Sequence, residues 1–158
     1  MLTLDRLEDR LLRLLLTSLR NELGVRHGPG FVSLVLYGSR ARGDARAGSD
    51  IDLLLVAEKP RQWDGVAGVR SAFESCDDYR AWVDSRGVPT LDFVPLTPAE
   101  AGESRYPYLD MVDEAVLVHD HGDFMRRRLE RLGERLLELG SHRARLAAGS
   151  YLWILKPG

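Results

Sequence analysis

One segment constrains the fold of this chain more than any other: "IDLLLV", Ile51 to Val56. Read as a strand, it sends Ile51, Leu53 and Leu55 to one side and Asp52, Leu54 and Val56 to the other, because side chains alternate along extended backbone. Beyond the aspartate both faces are apolar. A strand of that kind is covered on both faces, so it belongs in the middle of a sheet with helices packed around it. With Asp50 included, the strand opens on two carboxylates, Asp50 and Asp52, that share a face. Two unit charges about 4 Å apart repel by about 4 kcal/mol at an effective dielectric near 20. Such a pair does nothing for a core, so a cation is expected between them.

The other elements read outward from that strand. Leu4, Leu7, Leu11, Leu14 or Leu15, and Leu19 recur at helical spacing, and Gly24 stands where a left-handed cap ends a helix, which predicts an N-terminal helix within residues 1–24. "FVSLVLY" (Phe31 to Tyr37) is the first strand and Asp50 to Val56 the second. Val66, Val69, Phe73, Trp82 and Val83 predict one helix or a broken pair. "TLDFVPL" (Thr90 to Leu96) is a third strand, restricted by Pro95 to an edge or a terminus, and "EAVLVHD" (Glu114 to Asp120) a fourth. The last helix is predicted over 123–140, with Asp123 as cap, an apolar stripe of Phe124, Leu129, Leu132, Leu136 and Leu139, and Gly140 at its end. The tail, 141–158, carries the apolar "YLWILKPG", expected to dock on its own core. Alternating elements and short connections predict a single α/β (α+β) domain over 1–158, a mixed β-sheet of about four strands flanked by helices.

Composition removes several functions. With 22 basic and 24 acidic residues the net charge is -2, which argues against holding duplex nucleic acid through many phosphate contacts. No apolar run approaches the roughly 20 residues needed to cross a bilayer, and Asp5, Glu8 and Asp9 are foreign to a transit peptide. Cys76 is the only cysteine, so neither an internal disulfide nor a cysteine-built zinc site can form, and it is expected as a small core residue. A cytoplasmic setting is expected. "HDH" (His119 to His121) reads as a solvated turn, the arginines at 126, 127, 128, 131 and 135 as the polar face of a helix, and "RGD" (Arg42 to Asp44) as coincidence. No Gly-Lys-Ser/Thr follows the glycines, which excludes a Walker-type loop.

The chemistry lies in "LYGSRARGDARAGSDIDLLLV", Leu36 to Val56. Asp50 and Asp52 offer only oxygen donors, which suits a hard cation, magnesium or manganese, rather than zinc. Magnesium held by few carboxylates completes its shell with water and substrate phosphates, so a phosphorylated substrate is implied. Gly38-Ser39 at a strand end allows close backbone approach and leaves N–H groups free at the start of a short helical turn, to which Ser39 adds a hydroxyl. Arg40 and Arg42 are placed equally well to meet phosphate charge or to face solvent.

Gly38-Ser39, the ten residues 40–49 and Asp50-Ile51-Asp52 together resemble the signature of the DNA polymerase beta-like nucleotidyltransferases, and the short chain resembles their minimal members. The likeness covers residues 31–96, the expected catalytic core. It implies a two-metal site, two magnesium ions or manganese in their place, with a third carboxylate from a later strand. The match is Asp92, with Asp84, Asp110 and Asp113 as weaker candidates. Asp50 and Asp52 would hold the metal that grips a nucleoside triphosphate, and with Asp92 the metal that activates the acceptor hydroxyl. Gly38 and Ser39 would hold the β- and γ-phosphates. The resemblance further implies transfer of AMP from ATP, as in the antitoxin-type partners of HEPN-domain proteins, which adenylylate the toxin on tyrosine. A non-catalytic antitoxin that acts by docking, and transfer to a small molecule such as an antibiotic, are the rival readings. The residues leave open the base, the acceptor and whether the chain works as a homo- or hetero-oligomer.

Overall fold

The computed structural model describes residues 1–60, 66–103, 107–145 and 151–155. In chain order its elements are β1 (Leu2–Thr3), α1 (Arg10–His27), β2 (Phe31–Tyr37), α2 (Gly38–Arg42), β3 (Ile51–Ala57), α3 (Val66–Glu74), α4 (Asp77–Arg86), β4 (Leu91–Leu96), α5 (Pro98–Ala101), α6 (Pro107–Glu114), β5 (Val116–Asp120), α7 (Phe124–Glu138), β6 (His142–Arg145) and β7 (Tyr151–Ile154). Five strands form one mixed sheet in the order β1-β5-β2-β3-β4. β2 runs antiparallel to both β3 and β5, whereas β4 is parallel to β3 and β1 to β5.

β3 lies inside the sheet and is covered on both faces, as its apolar pattern requires. On one face Ile51, Leu53 and Leu55 pack with Leu34, Leu36, the α1 leucines, Phe73 and Trp82. On the other, Leu54 and Val56 pack with Val35, Leu96, Tyr108, Met111, Met125 and Leu129. Helices α1, α3 and α4 therefore close one side of the sheet, and α5, α6 and α7 the other. β4 is an edge strand, the place to which Pro95 confines it, since proline has no N–H for a further ladder. No helix among the described residues is long and apolar enough to cross a membrane.

Several expectations need correcting. The first helix starts at Arg10, because the Asp9 carboxylate accepts the Leu12 N–H at 3.1 Å and caps it there. Leu4 and Leu7 are buried from the segment before it, tied in by β1. That helix runs through Gly24 and stops at Gly28, whose φ of 53° lets the chain turn ahead of Pro29. The mixed sheet is the one expected, and its fifth strand, β1, is only two residues long and carries no periodic signal. Asp123 is the residue before α7, yet Asp120 does the capping: its carboxylate accepts from Met125 N at 2.9 Å and Arg126 N at 3.0 Å. His119 belongs to β5 and stacks on Phe31 with centroids 4.3 Å apart, so only His121 fits the solvated turn. Cys76 caps α4, its Sγ accepting the Tyr79 N–H at 3.4 Å. The tail forms the hairpin β6–β7; residues 156–158 of the predicted apolar stretch lie outside the described residues.

Candidate active site

Strand register assembles the centre of the site. Tyr37, at the end of β2, pairs with Asp52 on β3, and Asp52 pairs in turn with Asp92 on β4. Residues paired across neighbouring strands project to the same face, so Tyr37, Asp52 and Asp92 form a row across three strands. They share the face of Leu54 and Val56 but sit at the end of the sheet. Asp52 is half-buried and Asp92 exposed. Asp50 stands one residue before β3, exposed, at the end of the loop that follows α2.

Gly38 is the close neighbour of Asp52. Its φ is +71°, a left-handed value that disfavours any other residue, and a Cβ built there would lie 2.1 Å from Asp52 Oδ2. The carboxylate thus occupies the space that a side chain at position 38 would fill. Among the described residues no donor hydrogen-bonds it. Burial, then the charges of Asp92 and Asp50, raise its pKa above the usual carboxylate value, and Arg42 and Arg40 oppose them through space. Tyr37 feels the same field. Burial, then Asp52, Asp92 and Asp110, push its phenol up to about 12, so it stays neutral at physiological pH.

Helix α2 carries Ser39 and the two arginines immediately beyond Gly38. It closes at Gly43, a residue in left-handed conformation, and the Asp44 N–H bonds back to the Ser39 carbonyl at 3.1 Å. The loop ends in a turn where Arg46 N donates to Ser49 Oγ at 2.9 Å and Ser49 N to the Arg46 carbonyl at 3.0 Å. Both arginines have partners within the chain. Arg40 donates from Nε and Nη2 to the Ser49 carbonyl, at 3.2 and 2.7 Å, and lies 5.0 Å over the Trp82 ring. Arg42 pairs with Asp44 at 3.1 Å and with Glu114 at 3.5 Å.

The donor chemistry suits a hard divalent cation: a half-buried carboxylate without a hydrogen bond, raised by two further carboxylates, with no nitrogen or sulfur ligand in the motif. Among the described residues no three such side chains are gathered to ligand spacing. Of the weaker candidates for a third carboxylate, Asp110 on α6 is near enough to act on Tyr37, while Asp84 belongs to α4, on the opposite face of the sheet. Three residues that shape the site were read in the sequence only as parts of strands or a helix: Tyr37, Glu114 and Trp82. Tyr37 alone carried a signal, as the last strand residue before Gly38.

Residues 16–118 match the family described as a nucleotidyltransferase domain. No curated relative matches the chain. Among solved structures, a toxin–antitoxin structure with AMP-PNP is similar at 15% identity and TM-score 0.45, over 78% of this chain and 92% of that one. A mutant of the toxin–antitoxin MntA-HpeT is similar at 13% identity and TM-score 0.47, with the same coverage. A Sulfolobus solfataricus protein assigned provisionally as a nucleotidyltransferase is 24% identical over 70% of this chain and 84% of that one, with TM-score 0.37.

Proposed function

This chain belongs to the nucleotidyltransferase domain family, and on that premise we propose that it transfers AMP from ATP to a hydroxyl acceptor. The observation that carries the reading is Asp52. It is a half-buried carboxylate set against Gly38, level with Asp92 across the strands, and without a hydrogen bond among the described residues. Burial and two like charges make an unaccompanied carboxylate costly there, and a cation relieves both.

Asp50 and Asp52 would hold one divalent cation, magnesium or manganese, and together with Asp92 a second. Bound there, the ions lower the acceptor hydroxyl's pKa and offset the charge of the triphosphate. The Gly38 backbone and the Ser39 hydroxyl hold the β- and γ-phosphates, and the missing side chain at Gly38 lets them come close. Arg40 and Arg42 add positive field. Asp92, exposed on the edge strand, takes the proton of the acceptor hydroxyl on its carboxylate. The acceptor oxygen forms a bond to the α-phosphorus while the bond to the β-phosphate's bridging oxygen breaks, so pyrophosphate leaves and AMP stays on the acceptor.

The acceptor is read as a protein hydroxyl, the tyrosine of a HEPN-type toxin partner being the one that the sequence resemblance implies. The edge position of β4, on which Asp92 is exposed, supports a large acceptor, because no further strand among the described residues pairs with it on that side. The test is to purify the protein with whatever binds it, add magnesium and ATP labelled at the α-phosphate, and follow the label. Label on the partner is expected, and none with Asp52→Asn, whose far-ultraviolet circular dichroism stays that of the parent. Transfer by Asp52→Asn at the parental rate would remove the metal assignment. Label on a small molecule without any partner would favour the antibiotic-type reading, and tight binding without label the docking antitoxin.

A further inference from the structure

The two hydrogen bonds from Arg40 end on a backbone carbonyl, and that carbonyl belongs to Ser49, the residue before Asp50. We propose that Arg40 is a positioning residue: it fixes the peptide that leads into Asp50, and so holds that carboxylate where a cation can be shared with Asp52. The inference rests on the metal-dependent reading above and assigns a role within it.

Three observations carry it. First, Nε and Nη2 form the edge with which a guanidinium grips a carboxylate or phosphate in paired fashion, and here that edge is spent on one neutral oxygen. Second, the guanidinium is itself held. It lies 5.0 Å over the ring of Trp82, which is 1% exposed and part of the core between α1 and the sheet. Arg86 lies 4.7 Å over the same ring and bonds Asp9, the cap of α1, with both terminal nitrogens, at 2.5 and 3.1 Å. A line of contacts therefore runs from the start of α1 through Arg86, Trp82 and Arg40 to Ser49, a rigid anchor for an otherwise exposed loop. Third, the other end of the strand needs no such device. Asp52 is placed by the ladder between β2 and β4 and by its contact with Gly38, whereas Asp50 lies one residue outside the strand: the Ile51 N–H, bonded to the Thr90 carbonyl at 2.8 Å, fixes the peptide after it, and the peptide before it depends on the loop.

Lysine cannot reproduce this. It keeps the charge but offers neither two parallel N–H bonds to one acceptor nor a plane to lie on the indole. The test compares the wild type with Arg40→Lys, Arg40→Ala and Asp52→Asn, each checked by a urea melt, in two measurements on the full chain. One is Mn2+ binding without nucleotide, read from the paramagnetic resonance of the free ion. The other is ATP binding in EDTA. Both Arg40 variants are expected to bind Mn2+ about 10-fold more weakly, the usual loss when a group supporting a metal ligand is removed, and Arg40→Lys, which keeps the positive charge, to bind ATP in EDTA as the wild type does. Wild-type Mn2+ affinity in Arg40→Lys would overturn the proposal. So would weaker ATP binding in EDTA with Mn2+ affinity unchanged, which would make Arg40 a phosphate ligand. Asp52→Asn separates the two levels. If it binds Mn2+ like the wild type, or if the wild type binds none, the metal-dependent reading itself fails. If it loses Mn2+ while Arg40→Lys does not, positioning alone fails.

Discussion

Arg40 and Arg42 sit two residues apart on one short helix, and they anchor it to opposite sides of the molecule. Arg40 reaches the face covered by α1 and α4, through Trp82. Arg42 reaches the face covered by α6, through Glu114, and Glu114 is also bonded by Arg143 of the hairpin. Their electrostatics differ accordingly. Burial weakens the hold of Arg42 on its proton, yet Asp44 and Glu114 outweigh it and raise the pKa. For Arg40 burial and then Arg86 win, and the pKa falls despite Asp9, Asp50 and Asp52. One arginine is thus matched by bonded carboxylates. The other bonds a neutral carbonyl, so no bonded carboxylate matches its charge, although both arginines act through space on Asp52. Two residues that look interchangeable beside a phosphate motif have different work, and the contacts that decide it lie far along the chain.

The comparison breaks most completely at Gly38, from which both arginines are hung. Gly38→Ala places a methyl carbon 2.1 Å from Asp52 Oδ2 at a φ of +71°. Either the carboxylate moves or α2 does, and in the second case both anchors move with it. Holding a residue other than glycine in a sparsely populated conformation costs about 1–3 kcal/mol. A displacement of about 1 Å at reacting groups can lower the rate about 100-fold. Gly38→Ala is therefore expected to retain its fold in urea denaturation while losing about 100-fold in transfer of labelled nucleotide. A near-parental rate would mean that Asp52 can leave Gly38 without consequence.

Why Gly38 could be read from the sequence and the arginines could not follows from the range of the interactions. Gly38, Asp50 and Asp52 declare themselves locally, by the end of a β-branched run, a glycine, and carboxylates breaking an otherwise apolar strand. The central place of β3 was legible for the same reason, since its two apolar faces require two covers. Asp92 needed one longer step, since the family resemblance calls for a third carboxylate from a later strand and Asp92 is the acid inside a predicted strand that matches it. The partners of Arg42 are different: Glu114 lies 72 residues away, beyond two strands and several helices, at the end of a helix that the periodicity did not separate from β5. β1 and the hairpin escaped because two to four residues cannot display a period. The start of α1 went astray because Leu4 and Leu7 keep helical spacing although Asp9 caps the helix after them.

Glu114 sharpens the comparison by freeing one arginine and leaving the other. Its carboxylate is one-fifth exposed and serves Arg42 and Arg143 together. Glu114→Gln keeps the shape but removes the charge that both guanidiniums face. Hydrogen bonds to charged groups contribute about 1.5–3 kcal/mol, and partial exposure argues for the lower end, so a loss of about 1–2 kcal/mol is expected in urea denaturation. Hydrogen exchange should locate it, with faster exchange in His142–Arg145 and little change in α4. Mn2+ binding should move much less than in Arg40→Lys. Equal effects on Mn2+ would mean that the two anchors act as one.

The smallest expected effect is a pH dependence at Asp52, on which both arginines act through space. Burial, Asp92 and Asp50 win over Arg42 and Arg40, so the folded pKa stands above the unfolded value near 3.8. The native state then binds this proton more tightly than the unfolded chain does. The resulting stability is fully present below the unfolded pKa and is lost as pH rises through the folded one. Asp52→Asn does not ionise and escapes that loss. In metal-free buffer its melting temperature should exceed that of the wild type by a margin that grows as pH is raised from 4 toward 7. Adding Mn2+ should narrow the margin from the wild-type side alone, because only the intact carboxylate set gains stability from a ligand bound to the folded state. Thermal melts at pH 4, 5, 6 and 7, with and without Mn2+, check both parts. A margin independent of pH would mean that the arginines already balance the carboxylates, and that Arg40 and Arg42 differ in what they anchor but not in what they do to the charge at Asp52.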